Sequence, residues 1–192
     1  ENTLVVFTSD NGPWLLFGTL GGNAGPLYAG KGMTWEGGMR VPGIFWWPGT
    51  IRPGIITQPG SALDLFTTFS SLAGTALPID RTIDGKDLTN TLFSEQESPR
   101  KHVFYYRGPE LYAVRLGPWK AHFITQGEYG TFGPKEVHDP PLLYHLGRDP
   151  GEKFNLADEY PDVLAEVEQI VQQHSQSVIP YPDQLAPIEA DD

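Results

Sequence analysis

The sequence predicts an α/β protein in which residues 1–98 form the carboxyl-terminal part of a large α/β domain and residues 99–179 form a small antiparallel sheet with one helix. A change of pattern along the chain predicts this division. A strand, a long loop, a second strand and a helix follow one another in the first part, which is typical of an α/β sheet. From about Pro99 the pattern changes to short strands and tight turns, which is typical of an antiparallel sheet. Residues 180–192 are acidic and are predicted to be a disordered tail.

The first strand is predicted over residues 3–8, a continuous run of apolar, β-branched and aromatic side chains that ends at Ser9-Asp10-Asn11-Gly12. Such a run fits a strand that is buried on both faces, as in a parallel sheet. Residues 18–43 are rich in glycine and predict a long loop, and loops of that length inside compact domains are usually functional. A second strand is predicted over residues 43–47, where Pro48-Gly49 ends it.

Two helices are predicted from apolar stripes at helical spacing. The first spans about residues 62–73, with Ser61 as its N-cap and Gly74 as its stop. Its apolar stripe consists of Leu65, Phe66, Phe69 and Leu72. The second spans about residues 162–176, begins after Pro161, and is expected to cover the antiparallel sheet.

The antiparallel sheet is predicted to contain four strands, over residues 103–106, 111–116, 119–124 and 142–146. Gly117-Pro118 predicts a hairpin between the middle two strands. In the third strand, Trp119, Ala121 and Phe123 alternate with Lys120 and His122, as in a strand with one face in water. We therefore expect Arg115, Lys120 and His122 to lie on a solvated face.

Composition excludes several classes of function. The 192 residues carry 24 Asp and Glu against 13 Lys and Arg, a net charge of −11, which makes the chain a poor ligand for nucleic acids. There is no cysteine, hence no disulfide, thiolate metal site or cysteine nucleophile. No apolar run is long enough to span a membrane. Because the chain starts at Glu1, almost inside a strand, we expect a fragment or a processed chain.

Asp10 and Asn11 are the candidate metal ligands, because they follow the first strand directly. Ligands bind beyond the carboxyl ends of strands in open α/β sheets. A carboxylate and an amide oxygen suit Ca²⁺ or Mg²⁺, although two donors are too few for a complete site. The alternative is a simple Asx turn that ends the strand.

Lys31 is the candidate anion-binding residue, because Gly30 and Gly32 on either side allow the backbone to approach a ligand closely. Its ammonium can hold an anionic oxygen and stabilise charge on a leaving group, whereas the alternative is a solvated loop lysine. Glu36 and Arg40 are predicted to form an ion pair that braces the loop, and His138 is predicted to be a surface histidine. No nucleophile motif such as Gly-x-Ser-x-Gly occurs, so these residues supply part of a hydrolytic site only.

Taken together, these segments resemble the sulfatase family. Residues 4–13 resemble its metal-binding strand end, and residues 30–42 resemble the lysine-bearing loop that follows it. Residues 120–127 and 140–144 are similar to the branch that contains arylsulfatase A and N-acetylgalactosamine-6-sulfatase. Residues 45–49, 84–88 and 143–156 resemble further segments in the same order, so the chain is similar to the carboxyl-terminal portion of these enzymes.

The resemblance implies an alkaline-phosphatase-like fold and a reaction. In the family, the Cys or Ser of a Cys/Ser-x-Pro-x-Arg motif is converted to formylglycine, whose hydrate attacks the sulfur of a sulfate ester so that the alcohol leaves. By resemblance, Asp10 and Asn11 are ligands of one Ca²⁺ and Lys31 contacts the sulfate. The formylglycine motif is absent from this sequence, so no catalytic nucleophile is assigned here and the rest of the sulfatase chain is an expected partner.

The implied substrate is an aryl, glycolipid or glycosaminoglycan sulfate, and the implied location is secreted, periplasmic or lysosomal. Two alternatives stay open. One is another hydrolase of the alkaline phosphatase superfamily, such as a phosphodiesterase or phosphonate hydrolase. The other is a non-catalytic structural or binding protein that kept the fold.

Overall fold

The computed structural model describes residues 2–128 and 133–179, which form two separate sheets and four α-helices. A two-stranded sheet lies in the first part and a four-stranded sheet in the second. The strands are β1 Val5–Thr8, β2 Gly43–Trp46, β3 His102–Arg107, β4 Glu110–Leu116, β5 Trp119–Thr125 and β6 Glu136–His145. The helices are α1 Glu36–Met39, α2 Leu63–Leu72, α3 Thr89–Ser94 and α4 Pro161–Ser177.

The expectation for the first strand was wrong in direction and in burial. Strands β1 and β2 form an antiparallel pair in which Val5 is opposite Trp46 and Thr8 is opposite Gly43. Phe7 is 63% exposed and Trp46 is 59% exposed. A parallel sheet is buried because crossover helices cover both of its faces. Among the described residues β1 pairs with β2 alone, so the apolar run marks a strand but not a buried one.

Helix α2 forms where it was predicted, but its N-cap is Ala62 and not the predicted Ser61. The Ser61 hydroxyl oxygen accepts a hydrogen bond from the Leu63 N–H at 3.3 Å. In its predicted apolar stripe Phe66 and Phe69 are exposed and Leu65 and Leu72 are half-buried. The buried residues of the helix are Asp64, Thr67 and Thr68. The Asp64 carboxylate accepts two hydrogen bonds from the guanidinium of Arg100, and Arg100 Nε lies 2.8 Å from Asp64 Oδ2. This buried pair ties α2 to the chain that enters β3.

The four-stranded sheet confirms the predicted strands and hairpin. Its strand order is β3-β4-β5-β6, with all neighbours antiparallel. Leu116 and Trp119 close the predicted hairpin, and Gly117 has a φ of +54° at the first turn position, where an L side chain would be strained. Strand β6 is longer than predicted and contains Pro140, which an edge strand tolerates because one side of its backbone makes no ladder bonds.

Both faces of this sheet are covered, which corrects the expected solvated face. On one face, α4 packs its residues Leu164 and Val167 against a core that includes Val114, Ala121 and Leu143. On the other face, the side chains of Lys120 and His122 are completely buried. The alternation along β5 was predicted correctly, but the polar side lies under the glycine-rich segment and the loop after β6 rather than in water.

Three short helical elements lie in segments for which the sequence predicted no helix. A 3₁₀ helix spans Leu15–Leu20 with an interruption at Gly18, α1 makes one turn inside the glycine-rich segment, and α3 precedes the second sheet. Across the described parts of the chain, no helix is both long and apolar enough to cross a membrane. The predicted tail, 180–192, lies outside the described residues, and the domain boundary near residue 98 stays a prediction.

Candidate functional site

The turn after β1 presents Asp10 and Asn11 at the surface. Asp10 is exposed and Asn11 is half-buried. The Ser9 hydroxyl hydrogen-bonds to the Asn11 carbonyl oxygen at 3.0 Å and lies 3.5 Å from Asp10 Oδ1, which fixes the turn locally. Asp10 forms no ion pair with a cation in the described ranges 2–128 and 133–179, so its carboxylate charge is not neutralised there.

Lys31 lies across from this turn on the glycine-rich segment. Its backbone N–H donates to the Pro13 carbonyl oxygen at 2.9 Å, which ties the lysine to the segment that follows Asn11. Its ammonium lies over the Trp14 ring, 5.1 Å from the ring centre. Within the described chain Lys31 is paired with no carboxylate, so its charge remains available to an anion.

A cavity of 890 Å³ brings Asn11 and Lys31 together. Arg40, which is also the exposed partner of Glu36, lines the same cavity. The described lining thus carries two cations, and it contains no Asp or Glu although the chain has a net charge of −11. Asp10 is not among the lining residues, so the structure joins two of the three predicted site residues in one cavity and leaves the third beside it.

Helix α1 supports both sides of this cavity through close backbone contacts. The Gly12 N–H donates to the Gly38 carbonyl oxygen at 2.9 Å, and the Gly37 N–H donates to the Tyr28 carbonyl oxygen at 2.7 Å. A Cβ on Gly38 would lie only 2.1 Å from the Met33 carbonyl oxygen. These glycines are therefore required because the turn after β1 and the Lys31 segment both press directly on the backbone of α1.

Four buried side chains attach α1 to the second sheet. Lys120 Nζ donates to Glu36 Oε1 at 3.0 Å and lies 3.5 Å from Glu152 Oε1. His122 Nε2 donates to Glu152 Oε1 at 2.7 Å, and the Glu36 backbone N–H donates to Glu152 Oε2 at 2.6 Å. The predicted Glu36–Arg40 pair is present but longer, at 4.0 Å, so Lys120 is the nearer cation for Glu36.

Charge balance in this cluster explains its protonation states. Burial lowers the pKa of His122 to about 4, more than the adjacent Glu152 raises it, so the imidazole is neutral at pH 7. Burial also opposes the charge on Lys120, but its acidic neighbours outweigh burial and raise its pKa. The charges of Glu36 and Glu152 are then balanced by Lys120 and by Arg115, whose guanidinium lies 3.9 Å from Glu36 Oε2.

A second, smaller cavity of 350 Å³ also reaches Asn11. Tyr106 and Arg107 from the end of β3 line it together with Glu128. Arg107 donates a hydrogen bond to the Gly127 carbonyl oxygen at 3.2 Å. His138, predicted at the surface, is half-buried on β6 and lies 2.8 Å from Thr125 Oγ1, away from both cavity linings.

Sequence reasoning missed the buried cluster and the position of Arg40 in the cavity wall. The Lys-x-His pattern of β5 is the same whether that face lies in water or is covered by carboxylates. The buried cluster therefore has no signal in β5 alone, because its carboxylates, Glu36 and Glu152, are remote in sequence. The described residues contain no group of three or more His, Asp or Glu side chains arranged to hold a metal.

Comparisons with known proteins agree with this architecture. Residues 1–75 match the family described as sulfatase, and residues 98–191 match the C-terminal region of aryl-sulfatase. The chain is 46% identical to N-acetylgalactosamine-6-sulfatase of Mus musculus and 42% identical to arylsulfatase A of Homo sapiens, over 96% and 88% of its length. It spans 40% and 37% of those two proteins. A sulfatase crystal structure from Pseudoalteromonas sp. superposes on 95% of this chain and 38% of its own, with a TM-score of 0.79 at 28% identity.

Proposed function

The chain belongs to the sulfatase family, with the alkaline-phosphatase-like fold of that family, and from this premise we propose that it forms part of an enzyme that hydrolyses sulfate esters. Because the chain spans about two fifths of its curated relatives, the activity of the whole protein is a proposal. The residues proposed here for the site are Asp10, Asn11 and Lys31.

The composition of the large cavity carries this proposal. In a protein with a net charge of −11, a cleft whose described lining holds Lys31 and Arg40 and no carboxylate is a local positive region in a negative field. Such a region attracts an anionic group, and its described lining has no carboxylate that would repel the group. The half-buried Lys31 ammonium, backed by the Trp14 ring, is suited to hold one oxygen of a sulfate.

Asp10 and Asn11 are proposed to hold a Ca²⁺ together with ligands from outside this chain. The donor set fits, because both side chains offer hard oxygen atoms and the Asp10 charge has no cation partner among the described residues. When bound, the ion would draw charge from a sulfate oxygen as a Lewis acid. The site needs at least four further oxygen ligands, since Ca²⁺ takes six to eight.

The proposed role of Lys31 follows from where negative charge develops during the reaction. Hydrolysis breaks the bond between sulfur and the ester oxygen, so negative charge grows on the departing alcohol oxygen. A fixed ammonium close to that charge lowers the barrier, because it needs no reorganisation at the moment of reaction. By family resemblance the nucleophile is the hydrate of a formylglycine, and the motif that carries this residue does not occur in residues 1–192.

The proposed substrates are aryl, glycolipid or glycosaminoglycan sulfates, and one relative is named for action on N-acetylgalactosamine 6-sulfate. A secreted, periplasmic or lysosomal location stays a prediction from the family resemblance.

Lys31→Ala in the full-length protein tests the role of Lys31. We expect kcat/KM on an aryl sulfate to fall by roughly a hundredfold, the usual loss when one charge-stabilising contact is removed. Lys101→Ala is the matched control, because Lys101 is exposed and pairs with Glu97 on the surface. Full activity in Lys31→Ala would refute the role of Lys31.

Wild-type turnover separates the proposal from its alternatives. Hydrolysis of a phosphodiester but of no sulfate ester would instead support another hydrolase of the superfamily. No turnover of either ester would support a non-catalytic protein.

A further inference from the structure

We propose that Glu152 is a positioning residue for the candidate site: it holds helix α1 in place, and α1 in turn sets the positions of Asn11 and Lys31. This inference rests on the proposed function for its kinetic part only. Glu152 lies in the loop after β6, far from Lys31 in sequence, and it touches none of the three proposed site residues in the described structure.

The first step is the contact between Glu152 and α1. The two carboxylate oxygens of Glu152 are both engaged: Oε2 accepts the backbone N–H of Glu36, and Oε1 accepts His122 and lies close to Lys120. A 2.6 Å bond from a backbone N–H to a buried carboxylate is short and strong. The bond fixes Glu36, the first residue of α1, to the Glu152 carboxylate, which Lys120 and His122 of the second sheet also contact.

The backbone of Glu152 indicates that the carboxylate itself is needed at this position. Its φ of +52° lies in the left-handed region, where glycine fits without cost and a residue with a Cβ is strained by about 1 kcal/mol or more. The neighbouring Asp149 carboxylate accepts the N–H groups of Lys153 and Phe154 and so holds the turn in this shape. A strained backbone that carries a buried, fully bonded side chain is consistent with a role for that side chain beyond filling the turn.

The second step is the contact between α1 and the site. Gly37 and Gly38 press against carbonyl oxygens of the segment that carries Lys31, at distances that leave no room for a methyl group. Gly12, next to Asn11, donates to Gly38 and lies against the Gly37 carbonyl. Interiors packed this closely transmit a shift rather than absorb it. A displacement of α1 must therefore move Asn11 and Lys31 together.

A purely structural role for Glu152 would give a different result from a positioning role, and a double-mutant cycle separates them. Glu152→Gly removes the side chain and relieves the backbone strain, whereas Glu152→Gln keeps an acceptor for the Glu36 N–H. In the full-length protein we expect Glu152→Gly to lower kcat on an aryl sulfate about tenfold relative to the wild type. We expect a smaller loss of kcat in Glu152→Gln. In a Lys31→Ala background, Glu152→Gly is expected to change kcat less than twofold. Equal factors in both backgrounds would overturn the proposal.

Glu95→Gly is the matched control. Glu95 also has a positive φ, +54°, but it is exposed and caps the end of α3. We expect it to leave kcat unchanged. A loss in Glu95→Gly as large as in Glu152→Gly would show that the effect comes from altered backbone freedom, and would overturn the positioning role.

Hydrogen exchange provides a readout that needs no activity. The Gly12 amide donates to Gly38 of α1, the Gly37 amide of α1 donates to Tyr28, and the Lys31 amide donates to Pro13. We expect Glu152→Gly, and to a smaller extent Glu152→Gln, to speed exchange in peptides over residues 10–14 and 28–40 while α4 stays protected. Unchanged exchange in those peptides would refute the positioning role. A wild-type protein that hydrolyses no sulfate ester, combined with the expected exchange, would reject the proposed function and leave the positioning contact standing.

Discussion

Replacing Lys120 by Met tests how strongly the buried cluster depends on its central cation. Lys120 is completely buried, and its ammonium lies 3.0 Å from Glu36 and 3.5 Å from Glu152, which are buried as well. Methionine matches the length and apolar volume of the lysine stem, so the substitution removes the charge and little else. It leaves two carboxylates facing each other without their shared cation in a site without water access.

The expected loss follows from that geometry. Removing one partner of a buried ion pair costs about 3–5 kcal/mol, because the remaining charge is desolvated and unpaired. Here two carboxylates lose their nearest cation, and Arg115 at 3.9 Å from Glu36 Oε2 is too far to replace it fully. We therefore expect the upper half of that range, about 4–5 kcal/mol.

Urea unfolding of the full-length protein, followed by tryptophan fluorescence, measures this loss. Trp35 is a local reporter, because its ring lies 4.3 Å from the His122 ring. Lys101→Met is the matched control: its ammonium is 2.8 Å from Glu97, but both side chains are exposed. Surface pairs contribute little, so the control is expected to leave the unfolding midpoint unchanged. If Lys120→Met destabilises the protein no more than Lys101→Met does, the account of the cluster is wrong.

Two further predictions concern the same region. The free energy of unfolding is expected to fall as the pH falls from about 6.5 towards 4, because His122 has its ordinary pKa of 6.5 in the unfolded chain and a pKa of about 4 in the folded chain. The unfolded state therefore binds more protons in this range, which costs about 2 kcal/mol of stability between pH 7 and pH 5. We expect His122→Gln to remove this part of the pH dependence of the unfolding midpoint. Gly38→Ala is expected to cost about 1–3 kcal/mol by overpacking, because its Cβ would lie 2.1 Å from the Met33 carbonyl oxygen. The control is Gly54→Ala, whose Cβ would face open space and which should leave the thermal midpoint unchanged. Equal midpoints for the two variants would contradict the close packing around α1.

The second half of the fold was predictable because its signals are local. Hairpin residues such as Gly117 and the alternation along β5 depend on neighbours in sequence, and the structure confirms the strands that they predict. Helix α4 was predictable for the same reason, since its apolar stripe and Pro161 lie within one segment. The environment of each face was not predictable from the alternation alone. Lys120 and His122 are buried because Glu36 and Glu152, remote in sequence, cover them.

The first half shows the opposite case. The run at β1 identifies a strand, but its partner and its exposure depend on what else covers the sheet, and the described residues offer only β2. Phe66 and Phe69 in the stripe of α2 are exposed for the same reason. In the candidate site, Asp10, Asn11 and Lys31 were predicted to lie together; Asn11 and Lys31 line one cavity, whereas Asp10 is not part of its lining. The addition of Arg40 depends on how the loop folds over α1, which no spacing in the sequence specifies.

A calcium titration of the full-length protein tests most directly the claim that the turn after β1 supplies two ligands of a metal site. The variant is Asp10→Ala, and Asp158→Ala, another exposed aspartate, is the control. The account predicts one bound Ca²⁺ per wild-type chain, unchanged affinity in the control, and at least about tenfold weaker binding in Asp10→Ala, because one charged oxygen ligand is lost. Equal calcium affinity in the wild type and in Asp10→Ala would contradict it.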